Sequence, residues 1–258
     1  SRRVETLFVS QPLSVSLHPV MGLPEIRPGD DLAQLISQSL QGVAQAGDIL
    51  VVTHKIVSKA EARVVDLTQV TPSQWAQKWA QRWQKDPRQI EVVLQESAAI
   101  VRMEAGILIA RTHHGLVCAN AGVDRSNSPG ETVVLLPEDP DRSALALSQV
   151  CSAQLGFDLP VLISDSFGRA WRIGIVNVAI GVAGIDPFSD YRGLDDPHGY
   201  PLEASIMASA DALCAAAELV MGKVDAVPAA LVRGYGWKPK ADASAQQLIR
   251  PVAQDFFR

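Results

Sequence analysis

Two aspartates, a short run of lysines and a pair of arginines each follow an apolar stretch of this chain, and their types define the chemistry they could support. Asp165 and Ser166 come directly after the apolar run Leu159–Ser164, with Gly168, Arg169 and Arg172 close behind. A carboxylate next to a hydroxyl offers hard oxygen donors suited to Mg²⁺ or Mn²⁺. Two guanidiniums add fixed donors for phosphate or carboxylate, so Arg169 and Arg172 are candidates for holding substrate anions. A strand-end turn with solvated arginines is the plainer reading. Four such groups within eight residues weigh against it.

Asp124 sits in a polar loop, Asn120-Ala-Gly-Val-Asp124-Arg-Ser-Asn127. An aspartate beside glycine after a buried strand can aim its carboxylate into a cleft, and Asn127 adds an amide for phosphate. The same segment reads equally well as an Asx-turn. His54, Lys55 and Lys59 follow the apolar run Ile49–Val52, where the lysines could meet a triphosphate as point charges. Taken alone, that segment reads as solvated charge at a helix start.

The common nucleotide and hydrolase signatures are missing. There is no G-x-x-x-x-G-K-[ST], and Gly174, Gly181 and Gly184 do not form G-x-G-x-x-G. Neither H-E-x-x-H nor G-x-S-x-G occurs. His113-His114-Gly115 reads as a hairpin turn, because adjacent histidines in a tight turn seldom point the same way.

Periodicity supplies the elements that must position these groups. A first strand is expected near Leu13–Leu17, and then a helix capped by Asp30 or Asp31 with Leu32, Leu35, Ile36 and Leu40 on one face. Thr71-Pro72 and Asp86-Pro87 read as helix starts. Trp75, Trp79 and Trp83 then form a stripe that reads as a packing face. Strands are expected at Ile107–Ala110, Leu116–Ala119, Thr132–Leu135, Leu159–Ser164 and Ala229–Val232, with helices at Ser143–Leu155 and Leu202–Met221. Gly174–Gly184 is a stretch of small residues, and Asp186–Pro201 is a long loop. Strands and helices mix without strict βαβ alternation. An α+β fold in two lobes is expected, neither P-loop nor Rossmann.

A net charge of -5 and a pI of about 5.5 argue against a nucleic-acid partner. The chain's 258 residues, 47% of them hydrophobic, suffice for a substantial core. Cys118, Cys151 and Cys214 are odd in number and scattered, which fits reduced, buried thiols of a cytosolic protein. No apolar run approaches the roughly 20 residues of a membrane span, and no signal-peptide core follows the N-terminus.

These segments, taken in order, resemble the coenzyme F-420 gamma-glutamyl ligase family along almost the whole chain. The resemblance rests on Gly22-Leu-Pro-Glu-Ile, Val57-Ser-Lys-Ala-Glu61, Asn120-Ala-Gly-Val-Asp124 with Asn127, and Ile163-Ser-Asp165-Ser-Phe-Gly-Arg169. It continues through Ala179-Ile-Gly181, Leu219-Val-Met-Gly222 and Val227-Pro-Ala-Ala-Leu-Val-Arg-Gly234.

It implies a GTP-dependent ligase that adds L-glutamate to a deazaflavin precursor, working as a homodimer of two-lobed subunits with two divalent ions and room for a monovalent cation such as K⁺. Asp124 and Asp165 match the family's first metal site, and Ser166 matches the second. Leu23, Pro24, Glu25, Ile26, His54, Lys55, Lys59 and Asn127 match nucleotide-contacting positions. So does the loop Met221, Gly222, Lys223, Val224, Asp225, Ala226 and Val227. The whole chain, 1–258, is then one ligase module, without the C-terminal flavin-binding domain that some bacterial members carry.

The chain departs from the family pattern at several positions. His54-Lys55 stands where some members have small hydroxyl residues, and Ala62 replaces a usual glycine. Lys223 stands where some members carry an acidic metal ligand, the nearest acid being Asp225. The rival readings are a metal-dependent phosphohydrolase with the same Asp and Ser ligands, and a nucleotide-binding regulatory protein without turnover. Glutamate-dependent phosphate release separates all three.

Overall fold

A computed structural model describes residues 14–125, 130–223 and 225–255. The apolar runs meet in a six-stranded sheet ordered β1 (Ser16–Pro19), β12 (Ala229–Arg233), β2 (Ile49–Thr53), β8 (Val161–Arg169), β9 (Arg172–Ile185) and β13 (Pro239–Lys240). Within it β2 and β8 run parallel, and the other neighbours run antiparallel. The central strands are covered on both faces and so read as continuous Val, Ile and Leu runs rather than alternating ones.

Successive side chains still part to opposite faces. Leu50, Val52, Ile163 and Leu231 join a core with Ile36 and Leu40 of α1 (Leu32–Leu40) and with Leu147 and Cys151 of α5 (Pro140–Leu155). Ile49, Val51, Leu162 and Ala230 join another core with Leu213, Cys214 and Ala217 of α6 (Ser209–Met221).

A third core gathers around the smaller sheet of β4 (Ser97–Glu104), β5 (Ile107–Thr112) and β6 (Val117–Ala119). Helices α3 (Gln74–Trp83) and α4 (Pro87–Gln95) contribute to it, as does the pair β3 (Val64–Asp66) and β7 (Thr132–Val134). The short strands β10 (Ser189–Asp190) and β11 (Ile206–Met207) pair with each other, and helix α2 (His54–Ala60) follows β2 without a break. The fold is therefore mixed α/β with several sheets, as the sequence led one to expect.

Local signals succeed where a side chain closes the backbone. Asp31 and Asp86 cap α1 and α4 by accepting from Gln34 N and Arg88 N. His113 and His114 are tied to the carbonyls of Gln95 and Pro137, consistent with a structural turn.

Several expectations need correction. Helix α3 starts after Ser73, whose hydroxyl accepts from Ala76 N, and not at Thr71-Pro72. Its buried face is Ala76 and Ala80. The tryptophans lie along the flank, Trp75 stacked on Trp79 and 41% exposed. Small alanines let this helix approach its neighbours, and of the stripe Trp79 packs against the third core as expected while Trp75 only stacks on it. Helix α6 begins at Ser209 because Ile206 and Met207 pair as β11. The first strand is Ser16–Pro19, and Leu13 lies outside the described residues. Strand β4, largely exposed and interrupted by two register shifts, gave no periodic signal.

The small-residue stretch Gly174–Gly184 belongs to the long strand β9. Its small residues serve close packing within the chain. A Cβ on Gly181 would lie 2.4 Å from the Pro140 carbonyl oxygen at the start of α5.

All three cysteines are buried and free. Burial pushes the Cys118 thiol up to about 12, with the Asp165 charge adding to it, and raises Cys151 to about 11. Among the described residues no helix is long and apolar enough to cross a membrane.

Candidate active site

The parallel register of β2 and β8 sets Thr53 beside Ser164, so the residues that follow each strand share one end of the sheet. On β8 these are Asp165 and Ser166, and on α2 they are His54, Lys55 and Lys59. A register shift between β8 and β9 at Ile163/Ser164 comes just before Asp165. Bulges of this kind bend a strand and redirect its side chains. The amides of Ala179 and Val182 are taken up by the carboxylates of Asp211 and Asp141, one from each flanking helix.

Asp124 arrives from the third core. Asn120, Ala121 and Gly122 have φ of 53°, 51° and 73°, three left-handed residues in succession. For a buried alanine this is strained backbone, held by its surroundings. Beyond the turn, Asp124 and Val134 exchange backbone hydrogen bonds of 3.0 and 2.8 Å, which fixes where the carboxylate emerges.

The resulting cleft has a volume of about 1050 Å³. Leu23, Pro24, Glu25 and Ile26 line one side, and Met221, Gly222, Lys223, Ala226 and Val227 line another. Asp124, Asp165, Ser166, Lys55 and Lys59 complete it. Most of the residues singled out from the sequence are thus brought together. Asn127 and Val224 lie outside the described residues. Among the described residues the charged lining consists of three lysines, Lys55, Lys59 and Lys223, and three carboxylates, Glu25, Asp124 and Asp165. Lys55 Nζ is 2.8 Å from Asp124 Oδ2, and Lys59 Nζ is 3.8 Å from Glu25 Oε1.

Other expected site residues lie elsewhere. His54 is buried in the wall at 1% exposure, with Nε2 3.2 Å from Asp165 Oδ1. Asp225 is not part of the lining and folds back against Gly222. Arg169 and Arg172 lie at the tip of the β8–β9 hairpin, away from the cleft lining. Arg169 Nη2 donates to the Ile173 carbonyl at 3.1 Å. Strand β8 does not end at Asp165, as the sequence suggested, but runs on to Arg169; at about 3.4 Å per residue this carries the arginines past the site.

Thr53, Ser164 and Asn177 line the cleft and were not anticipated. Asn177 was hidden among the small residues of β9. It is 6% exposed, and its Oδ1 accepts from Ser166 Oγ at 2.6 Å. Only its place opposite Ser166 in the hairpin gives it away.

Among the described residues no group of three or more His, Cys, Asp or Glu is poised to hold a metal. Asp124 and Asp165 both line the cleft, and Mg²⁺ is usually bound by one or two carboxylates with substrate phosphates and water filling the remaining positions.

The fold and the cleft define a mixed α/β protein that gathers lysines and carboxylates at the end of a parallel strand pair, without a phosphate-binding glycine loop. Over residues 21–234 the chain matches the family described as F420-0:Gamma-glutamyl ligase, and it belongs to that family. Among its relatives is the coenzyme F420:L-glutamate ligase of Methanopyrus kandleri, 43% identical over 251 residues, covering 95% of this chain and 98% of the relative. The protein of the same name from Methanothermobacter thermautotrophicus is 42% identical over 251 residues, covering 95% of this chain and 100% of the relative. That of Methanocaldococcus jannaschii is 37% identical over 239 residues, covering 92% and 94%.

Proposed function

We propose that this chain is a GTP-dependent ligase that joins L-glutamate to the carboxylate of the deazaflavin coenzyme F-420 precursor through an acyl phosphate. One observation carries the reading beyond family membership: Asp124 and Asp165, far apart in sequence, line the same cleft as Lys55 and Lys59.

A carboxylate resists attack by an amine because the leaving group would be oxide. If a carboxylate oxygen first takes the γ-phosphoryl group, the amine can displace phosphate instead. Lys55 and Lys59 line the cleft and would draw phosphate oxygens towards its wall, and Leu23–Ile26 with Met221, Gly222, Lys223, Ala226 and Val227 would form the sides of a nucleotide slot. Asp124 and Asp165 would hold Mg²⁺ or Mn²⁺, which neutralises charge where two anions must approach. Lys55 would exchange its contact with Asp124 for phosphate when the nucleotide arrives.

The protein is also proposed to act as a homodimer. The end of the β8–β9 hairpin supports this, because Trp171, Ile173 and Ile175 are 83%, 101% and 56% exposed. An apolar patch of this kind calls for a covering surface.

The reading is tested by incubating the protein with GTP, Mg²⁺, glutamate and the deazaflavin precursor, and following glutamyl addition by mass spectrometry. Precursor labelled with ¹⁸O in the accepting carboxylate should yield labelled phosphate in step with product. A phosphohydrolase would take its oxygen from solvent and ignore glutamate. Unlabelled phosphate beside full product formation would exclude the acyl phosphate.

A further inference from the structure

We propose that Lys223 supplies the fixed positive charge on the Ser166 side of the cleft, so that the site takes one divalent ion, at Asp124 and Asp165, and not two. This rests on the ligase reading above and changes its metal count.

Ser166 was expected to serve a second ion, but its hydroxyl is already engaged on both sides. It donates its proton to Asn177 Oδ1 at 2.6 Å, and its oxygen accepts a hydrogen bond from the Lys223 ammonium. An ammonium has three donors and no acceptor, so the direction of this network is fixed. A cation at Ser166 would have to displace Lys223 or lie beside a like charge.

The surroundings offer no ligands in compensation. The Asp225 carboxylate is folded against Gly222, and Glu218, on the last turn of α6, is 3.9 Å from Lys223 Nζ. Among the described residues no group of three or more His, Cys, Asp or Glu is arranged to hold a metal. The loop geometry is specific too. Gly222, with φ 60° and ψ -167°, occupies a region essentially restricted to glycine and directs the chain so that Lys223 lines the cleft.

The Ser166 side is therefore built to present an ammonium to an incoming anion, with Asn177 fixing the orientation of the serine. Lys223 replaces a second ion's charge with one that needs no recruitment from solution.

The test counts Mn²⁺ bound per chain by electron paramagnetic resonance in the presence of a non-hydrolysable GTP analogue. Wild type should bind one ion, and Lys223→Met should still bind one while losing turnover on the order of 100-fold. Lys223→Glu would set a carboxylate beside Ser166 and Glu218 and should admit a second Mn²⁺. Two ions in wild type would overturn the Lys223 proposal and leave the ligase reading intact, as would a single ion in a folded Lys223→Glu protein. No ion in wild type would overturn the metal-dependent reading itself. Half-exposed Lys223 tolerates replacement without core disruption, and circular dichroism of each variant verifies folding.

Discussion

His54 Nε2 lies 3.2 Å from Asp165 Oδ1, and His54 Nδ1 lies 3.3 Å from the Ser58 hydroxyl. The imidazole is thus held between a helix hydroxyl and a cleft carboxylate, inside the wall. It contacts Asp165 from behind and is not itself part of the cleft lining. Groups behind a ligating carboxylate typically contribute 10–100-fold to metal affinity or activity. Asp165→Asn should lower Mn²⁺ affinity and turnover together, by several kcal/mol in the transition state. His54→Gln, which keeps a donor, should lose less than His54→Ala, by about tenfold. Equal losses in the two His54 variants, with unchanged Mn²⁺ affinity, would assign His54 to packing alone.

Ala62 has φ 57°, a conformation that suits glycine. It closes α2, with Ala62 N donating to Lys59 O and Arg63 N donating to Ser58 O, the paired bonds of a Schellman motif. The alanine therefore does more than restrict backbone freedom, because the native turn itself is strained. Ala62→Gly should relieve about 1–2 kcal/mol of strain, offset in part by unfolded-chain entropy, for a net gain of about 0.5–1 kcal/mol. Urea unfolding would measure it, and a lower midpoint would contradict the argument.

Burial raises the pKa of Glu61 above its ordinary value of 4.5, despite the hydrogen bond from Ser143. The folded state then holds this proton more tightly than the unfolded state, so the contribution to stability is present below the ordinary value and is lost as pH rises through the raised one. Glu61→Gln keeps an acceptor for Ser143 and removes the titration. The variant should gain stability relative to wild type as pH increases from 4 to 7. Parallel stability curves over that range would show that Glu61 does not titrate in this way.

At the hairpin tip, Trp171 is 83% exposed and Ile173 is 101% exposed. If a second copy covers them, Ile173→Asp should shift the mass seen by light scattering from dimer to monomer at micromolar concentration. A monomeric wild type would remove the dimer from the proposal.

The sequence alone determined many of the local elements and the inventory of reactive groups. Asp31 and Asp86 announce helix starts because a short carboxylate can close a backbone turn. The runs Ile49–Val52 and Ala229–Val232 announce buried strands because only continuous apolar side chains suit a sheet covered on both faces. Asp124, Asp165, Lys55 and Lys59 stood out because charge is rarely placed beside buried strands without use.

The tertiary structure decided which of these groups meet. Periodicity reports the faces of one element and not the neighbour beside it, so the register of Thr53 with Ser164, which gathers the site, could not be read in advance. Hairpin hydrogen bonds extend β8 through polar residues that carry no strand signal, and this removed Arg169 and Arg172 from the cleft. The same pairing set Asn177 opposite Ser166, and a glycine-directed turn brought Lys223 to that serine. The chemistry of each side chain was written in the chain, but the distances between them were set by how the strands pair.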